Sequence, residues 1–343
     1  MAVNTQKAPT LSWSSALRAD CSRNFRFRST PPRSIPPSGG WSAGFRLTKH
    51  RLRTTDKLLG VCRVYGAGGT HVTGLDLSAY DRYDGVEFEQ PSQGVLRMRF
   101  DRPERWNAIP QSVHDDLPRL FQRVADDRDV RAFQLTGSGA FFSSGGDVDE
   151  GMVERDAGEL VELHRIAVRI ITTLLEVPQP TMAILNGPAI GFAANLALHC
   201  DFIVMEEEAY LQDNHVAFGT APGDGAASIW PLVLGPARAK EMLLTGRRMP
   251  ADEALEAGLV NRVVPRDELE ASAEKLLGSV LENAPLAVRM GKSILNTPLR
   301  ANAEQQLNHS MAAELITLAS DDFLQSVQQF KETGEYSRDW DGK

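Results

Sequence analysis

Between Thr181 and Gly225 the chain passes through an apolar run TMAIL, a glycine-bearing turn into a helical segment, NGPAIGFAANLALH, a second apolar run CDFIVM, and then QDNHVAFGTAPGDG. Short apolar runs with a helix between them read as strands of an α/β fold. The glycines of this segment fall where the backbone must come close to another group. His215 precedes Asp224 by nine residues, and the two flank a Gly/Pro loop that opens a further helix. This stretch reads as an active site.

At 343 residues the chain exceeds the usual single domain, and composition divides it. Residues 1–63 hold 12 Lys/Arg against only Asp20 and Asp56, with Ser/Pro/Gly clusters such as STPPRSIPPSGGWSAG, whereas the remainder holds 25 basic and 43 acidic residues. The basic segment fits a disordered leader, an organelle transit peptide or an electrostatic arm. No aromatic-interleaved basic module or zinc-ligand spacing accompanies it, which argues against nucleic-acid recognition. Residues 1–77 are therefore set apart as a basic leader. Cys21, Cys62 and Cys200 form no CxxC pair and support no disulfide framework, so a reducing compartment is the default. No apolar run approaches the roughly 20 residues of a membrane span. A soluble, cytoplasmic protein is expected, or one of the mitochondrial matrix if the leader is a transit peptide. The pattern carries neither a metal cluster nor a dinucleotide fingerprint, so no metal or cofactor is expected.

From about Tyr80 the chain becomes regular. GVEFEQ and GVLRMRFD read as a hairpin, and Val113, Leu117, Leu120, Phe121 and Val124 give the next segment a helical period, with Pro118 as a candidate kink. The strand RAFQLTG, the loop SGAFFSSGGDVDE and a helix near Leu160 to Leu175 follow. A helix near Ala226 to Leu234, a short VNRVV strand and helices to about Thr333 complete the reading.

RPERWNAI, FFSSGGDV, VPQPTMAILNGPAIGFAANLALHCD, FGTAPGDGAASIWPLVLGPARAKEMLLTGRRMPADEALEAGLVNRVV and QQFKETGE, spread in order over residues 84 to 335, resemble the crotonase or enoyl-CoA hydratase/isomerase superfamily. The resemblance implies a ClpP-like α/β fold of stacked β-β-α superhelical turns over 78–275. It also implies a C-terminal helical trimerisation region over 276–343, with assembly into homotrimers or dimers of trimers. It implies an acyl-CoA substrate, coenzyme A being carried by the substrate, and a thioester oxyanion held by two backbone N–H groups. Gly146 and Phe192 stand at those positions, with Gly191 letting the chain approach the ligand. Ala108, Gly145, Asp147, Val148, Phe330 and Lys331 match substrate-binding positions, the last two resembling an element that contacts the adenine of CoA. Relatives usually have Gly where Phe192 stands.

The acid/base positions depart further. Where hydratases of the family place two Glu, this chain has Asn195 and His215. Asn195 can hydrogen-bond water or substrate but takes no proton, whereas His215 titrates near neutrality and is the expected base, oriented by Asp224. The His215/Asp224 pair resembles that of 6-oxocamphor hydrolase, a crotonase relative that cleaves cyclic β-diketones. His114 and Glu314 also match polar residues of that site. His164, His199 and His309 are expected to pack or cap, and Asp201 to satisfy turn N–H groups. Three readings follow: acyl-CoA enolate chemistry, carbon-carbon hydrolysis of a β-diketone, and a non-catalytic binding protein.

Overall fold

The computed structural model describes residues 74–80, 83–148, 156–337 and 339–342. The leader expected over 1–77 lies outside these, except for its last four residues. There the Leu75 N–H donates to Gln90 Oε1 at 2.8 Å, and Leu75 and Leu77 pack on the core. The body of the fold thus begins by Gly74, a few residues before the expected boundary.

In chain order the elements are β1 Val86–Ser92, β2 Val95–Phe100, α1 Gln111–Asp126, β3 Ala132–Gly137, α2 Ala157–Glu176, β4 Thr181–Leu185, β5 Ala189–Ile190, α3 Phe192–Leu198, β6 Phe202–Glu206, β7 Tyr210–Gln212 and α4 Ala226–Leu234. There follow α5 Pro236–Thr245, β8 Met249–Pro250, α6 Ala251–Glu256, β9 Arg262–Val264, α7 Leu269–Leu281, α8 Pro285–Leu295, α9 Thr297–Leu318 and α10 Asp321–Thr333. The main sheet runs β1-β2-β3-β4-β6-β9, antiparallel between β1 and β2 and parallel thereafter. A small second sheet, β5-β7-β8, has no counterpart in the sequence reading because its strands are only two or three residues long.

β3 and β4 are buried at every position, as parallel strands covered on both faces must be. Alternation sorts their side chains. Leu96, Met98, Phe133, Leu135, Ala183 and Leu185 face a core shared with α1 and α2, while Val95, Ala132, Met182, Ile184 and Val204 meet Leu269, Ala273 and Leu277 of α7. Each large apolar side chain so buried is worth about 1.5–3 kcal/mol.

All five apolar residues that gave α1 its period are buried. Pro118 stays within the helix, and its missing N–H leaves the His114 carbonyl without its helical donor. α2 starts where Asp156 and Glu159 form a reciprocal capping box. β6 begins at Phe202 rather than Cys200, because the Asp201 carboxylate accepts from the Thr181 N–H at 2.7 Å.

Candidate active site

Two turns meet at one wall of a cavity of about 180 Å3. The loop carrying Gly145 and Gly146 is pinned on one side by Ile109, whose N–H donates to Gly145 O (2.8 Å) and whose carbonyl accepts from Asp147 N (2.9 Å). On the other side the Ile190 N–H donates to Ser143 O at 3.0 Å. Gly191 then turns the chain into α3 with φ 56 and ψ −129, a conformation costly for any residue with a Cβ. A Cβ there would also lie 2.9 Å from Asn214 Oδ1. As first residue of α3, Phe192 has an N–H with no intrahelical acceptor. Among the described residues neither the Gly146 nor the Phe192 N–H has a backbone acceptor. Gly145, Gly146, Val148, Gly191 and Phe192 all line the cavity, as does His114, whose ring lies 5.1 Å from that of Phe192.

The opposite wall is made of side chains. His215, just past β7, has Nδ1 at 2.8 Å from Asp213 Oδ1 and Nε2 at 3.2 Å from Asp224 Oδ2. Burial disfavours charge on the ring, but the carboxylates of Asp213 and Asp224 outweigh it and raise the imidazole well above its usual range. The two carboxylates thus favour the imidazolium form of His215. The sequence reading makes His215 the base, and a ring held toward its charged form is less ready to accept a proton. The expected contact with Asp224 is present, and a second carboxylate joins it. Asp213 holds Nδ1 from two residues away, while Asp224 stands on the Nε2 side and lines the cavity.

Asp213 was not foreseen, although D-x-H in an extended segment places both side chains on one face and is the available signal. Burial pushes Asp224 toward its neutral form, yet His215 and then Asn195 hold it below the usual carboxylate range. Asp224 is ionised.

Glu314 arrives on α9, which lies against α2 and α4. Gly223 makes this possible, because a Cβ there would be 2.6 Å from both the Glu314 Cβ and the Ser310 carbonyl. Ser310 Oγ donates to Gly223 O at 2.8 Å and Thr317 Oγ1 accepts from Ala221 N at 2.9 Å, tying loop to helix. Glu314 Oε1 lies 3.9 Å from His215 Nε2, and Oε2 is buried with no hydrogen-bond partner. Burial foremost, with the neighbouring Asp224 and Asp213 adding to it, raises Glu314 to about 8 against the pull of His215 and a smaller pull from the Gly223 N–H. The surroundings thus bias the two carboxyls in opposite directions, Asp224 toward the charged form and Glu314 toward the neutral one.

Four residues singled out in the sequence stand apart from the cavity. Asn195 is fully buried. Its Nδ2 donates to Asp213 Oδ2 (3.0 Å) and Asp224 Oδ1 (2.7 Å), and its Oδ1 accepts from Trp230 Nε1 (2.8 Å). Buried and braced in this way, it does not reach the cavity to position water or substrate. Ala108 contributes its carbonyl to Arg102 Nη1 at 3.2 Å. Phe330 is half-buried, stacking on Tyr336 and edging onto Phe218 of the same chain, and Lys331 sits on an exposed part of α10. Asp147 does border the cavity, but its carboxylate bonds Arg102 (2.9 Å) and Arg105 (3.0 Å).

His199 bonds the Asn195 carbonyl and Ser228 Oγ, and burial lowers it to about 4, leaving it neutral. His164 Nε2 meets Asn308 O at 3.1 Å, and His309 is exposed. Asp213, His215 and Asp224 bring donor atoms within 4.8 Å of one another. Each ring nitrogen already faces a carboxylate, so the trio has the form of an ion-paired relay rather than a ligand set.

Residues 90–343 match the family model for enoyl-CoA hydratase/isomerase. The chain is 33% identical over 243 residues to carnitinyl-CoA dehydratase of Salmonella typhi, covering 69% of this chain and 92% of that one. It superimposes on an enoyl-CoA hydratase/isomerase from Mycobacterium paratuberculosis with TM-score 0.67 and 32% identity, covering 73% and 100% of the two chains. A β-diketone hydrolase from Anabaena, bound to (S)-3-oxocyclohexyl acetic acid, aligns with TM-score 0.65 and 26% identity over 69% of this chain and 94% of that one.

Proposed function

From the premise that this chain belongs to the enoyl-CoA hydratase/isomerase family, we propose that it acts on an acyl-CoA thioester through an enolate. The N–H groups of Gly146 and Phe192 hold the thioester oxygen as it gains charge, each such donor being worth on the order of 100- to 1000-fold. Opposite them, Asp224 is the base and Glu314 the acid. In hydration of a 2-enoyl thioester Asp224 takes a proton from water, the hydroxide bonds to C3, and Glu314 returns a proton to C2 of the enolate. The reverse sequence is elimination. His215, charged between Asp213 and Asp224, keeps Asp224 ionised and supplies a positive field beside the incoming water.

The observation that carries this reading is the opposed bias of two carboxyls beside one imidazole, Asp224 held ionised and Glu314 raised to about 8. Groups driven apart in this way take acid and base roles. No cofactor enters beyond the CoA of the substrate. Leu286, Met290, Ile294 and Leu295 of α8 are exposed apolar residues in the single chain and support assembly into trimers. Among the described residues no helix is long and apolar enough to cross a membrane, and a cytoplasmic or matrix location is part of the proposal.

The test is a screen of 2-enoyl-CoA and 3-hydroxyacyl-CoA substrates with calorimetric titration of CoA. Turnover that disappears in Asp224→Asn supports the lyase reading and excludes a purely binding role. A second reading is favoured by likeness to the β-diketone hydrolase and by His114 in the same cavity. Here water attacks a ketone carbonyl and the bond to the neighbouring carbon breaks to expel a carbon enolate. Hydrolysis of cyclic 1,3-diketones without any response to CoA would select it.

A further inference from the structure

Trp230, on α4, is enclosed on all sides and its Nε1 donates to Asn195 Oδ1 at 2.8 Å. An indole N–H can only donate, so the atom facing it is the amide oxygen. This fixes which way round the Asn195 amide lies. Its Nδ2 then points at Asp213 Oδ2 and Asp224 Oδ1, and the two amide hydrogens suffice for one bond to each.

We propose that Trp230 and Asn195 are positioning residues that lock Asp213 and Asp224 as acceptors on the two nitrogens of His215, and so decide which carboxyl of the site carries the proton. A reversed amide would place a third oxygen about 3 Å from the two carboxylates, and one of them would have to take a proton to relieve the contact. That proton would neutralise Asp213 or Asp224. His215 would lose half of its counter-charge and the division of labour with Glu314 would vanish. The titratable groups facing this ring are Asp213 at the end of β7, Asp224 in the loop before α4 and Glu314 from α9, while His114 from α1 acts on Asp224 at longer range. His199 on α3 is spoken for by the Asn195 carbonyl and Ser228.

The inference rests on the roles proposed above for Asp224 and Glu314, but it is read at His215 and needs no substrate. Ring nitrogen shifts of His215 are followed against pH in the full chain carrying labelled histidine, the signal being assigned by its loss in His215→Gln. In Trp230→Phe the midpoint is expected to fall by about one pH unit, with kcat about tenfold lower and KM unchanged. Asn195→Leu, similar in volume and without donors, is expected to move it the same way. A packing role alone would lower Tm and leave the midpoint in place, and that result in either folded variant overturns the proposal. In the unsubstituted protein a Trp230 indole N–H that exchanges as fast as an exposed one overturns it with no variant needed. If the midpoint falls but the protein turns over neither enoyl-CoA nor β-diketone, the functional reading fails and the positioning role stands.

Discussion

Gly146 and Phe192 present main-chain N–H groups from two turns, whereas Asp213, His215, Asp224 and Glu314 present side chains from a strand end, a loop and a helix, and the two sets are held by different means. The turns are fixed by dihedral angles and neutral hydrogen bonds, from Ile109 to Gly145 and from Ile190 to Ser143. The main-chain N–H groups they present do not titrate. The side-chain wall is held by charge, and its order depends on where one proton sits. Damage to the first should lower the rate equally at every pH, and damage to the second should move the pH profile.

The largest effect is expected where the side-chain wall loses the proposed base. Asp224→Asn should reduce kcat about 1000-fold with KM little changed, measured by steady-state kinetics on whichever thioester the screen yields. Next is Gly191→Ala, which adds about 1–3 kcal/mol of backbone strain and pushes into Asn214. It should lower kcat about 100-fold through the displaced Phe192 N–H, with the pH optimum unmoved. A shifted optimum in that variant would break the distinction between the walls.

Glu314→Gln sharpens it from the other side. The parent enzyme should lose activity as pH rises through about 8, and the variant, slower by about tenfold, should lack that limb. Stability follows the same group. Below the unfolded value of 4.5 the carboxyl is protonated in both states and contributes no difference. Between 4.5 and about 8 the unfolded chain gives up the proton and the folded chain keeps it, so stability falls as pH rises and the deficit is complete above 8. The melting temperature of Glu314→Gln should therefore gain on the parent across that window and run parallel to it on either side. The smallest effect on turnover belongs to Phe330→Ala. Loss of its contacts with Tyr336 and Phe218 should cost about 1–2 kcal/mol in chemical denaturation and change kcat less than twofold.

The main-chain wall was legible in the sequence because glycine is itself the signal. Gly145, Gly146 and Gly191 are spaced by the turns they make, and α4 runs from Ala226 to Leu234 as expected from the sequence. The side-chain wall was legible only in its membership. His215, Asp224, Glu314 and His114 do share one cavity. Their states follow from contacts between residues far apart in the chain, such as Asn195 with Asp224 across 29 positions, and no local pattern encodes them. Asp213 reads as one polar residue in a turn-like QDN unless its D-x-H spacing is noticed, and the fold sets it at the Nδ1 edge of the His215 ring. Asn195 sits at a position that the family resemblance ties to chemistry, yet its partners make it a brace.

Gly223 acts on α9 as a shim of zero thickness. That helix is 22 residues long, a rod of about 33 Å, and its far reaches are seated on α2 and α4. A side chain at 223 would be a wedge under the rod. Lifting it by even a methyl group's width would open Glu314 to water, and a hydrated carboxyl gives up its proton far more readily than a dry one. The acid strength of Glu314 is in this sense a gauge of how tightly its own helix is seated, and any change that loosens the α2–α9 or α4–α9 contact should register there first.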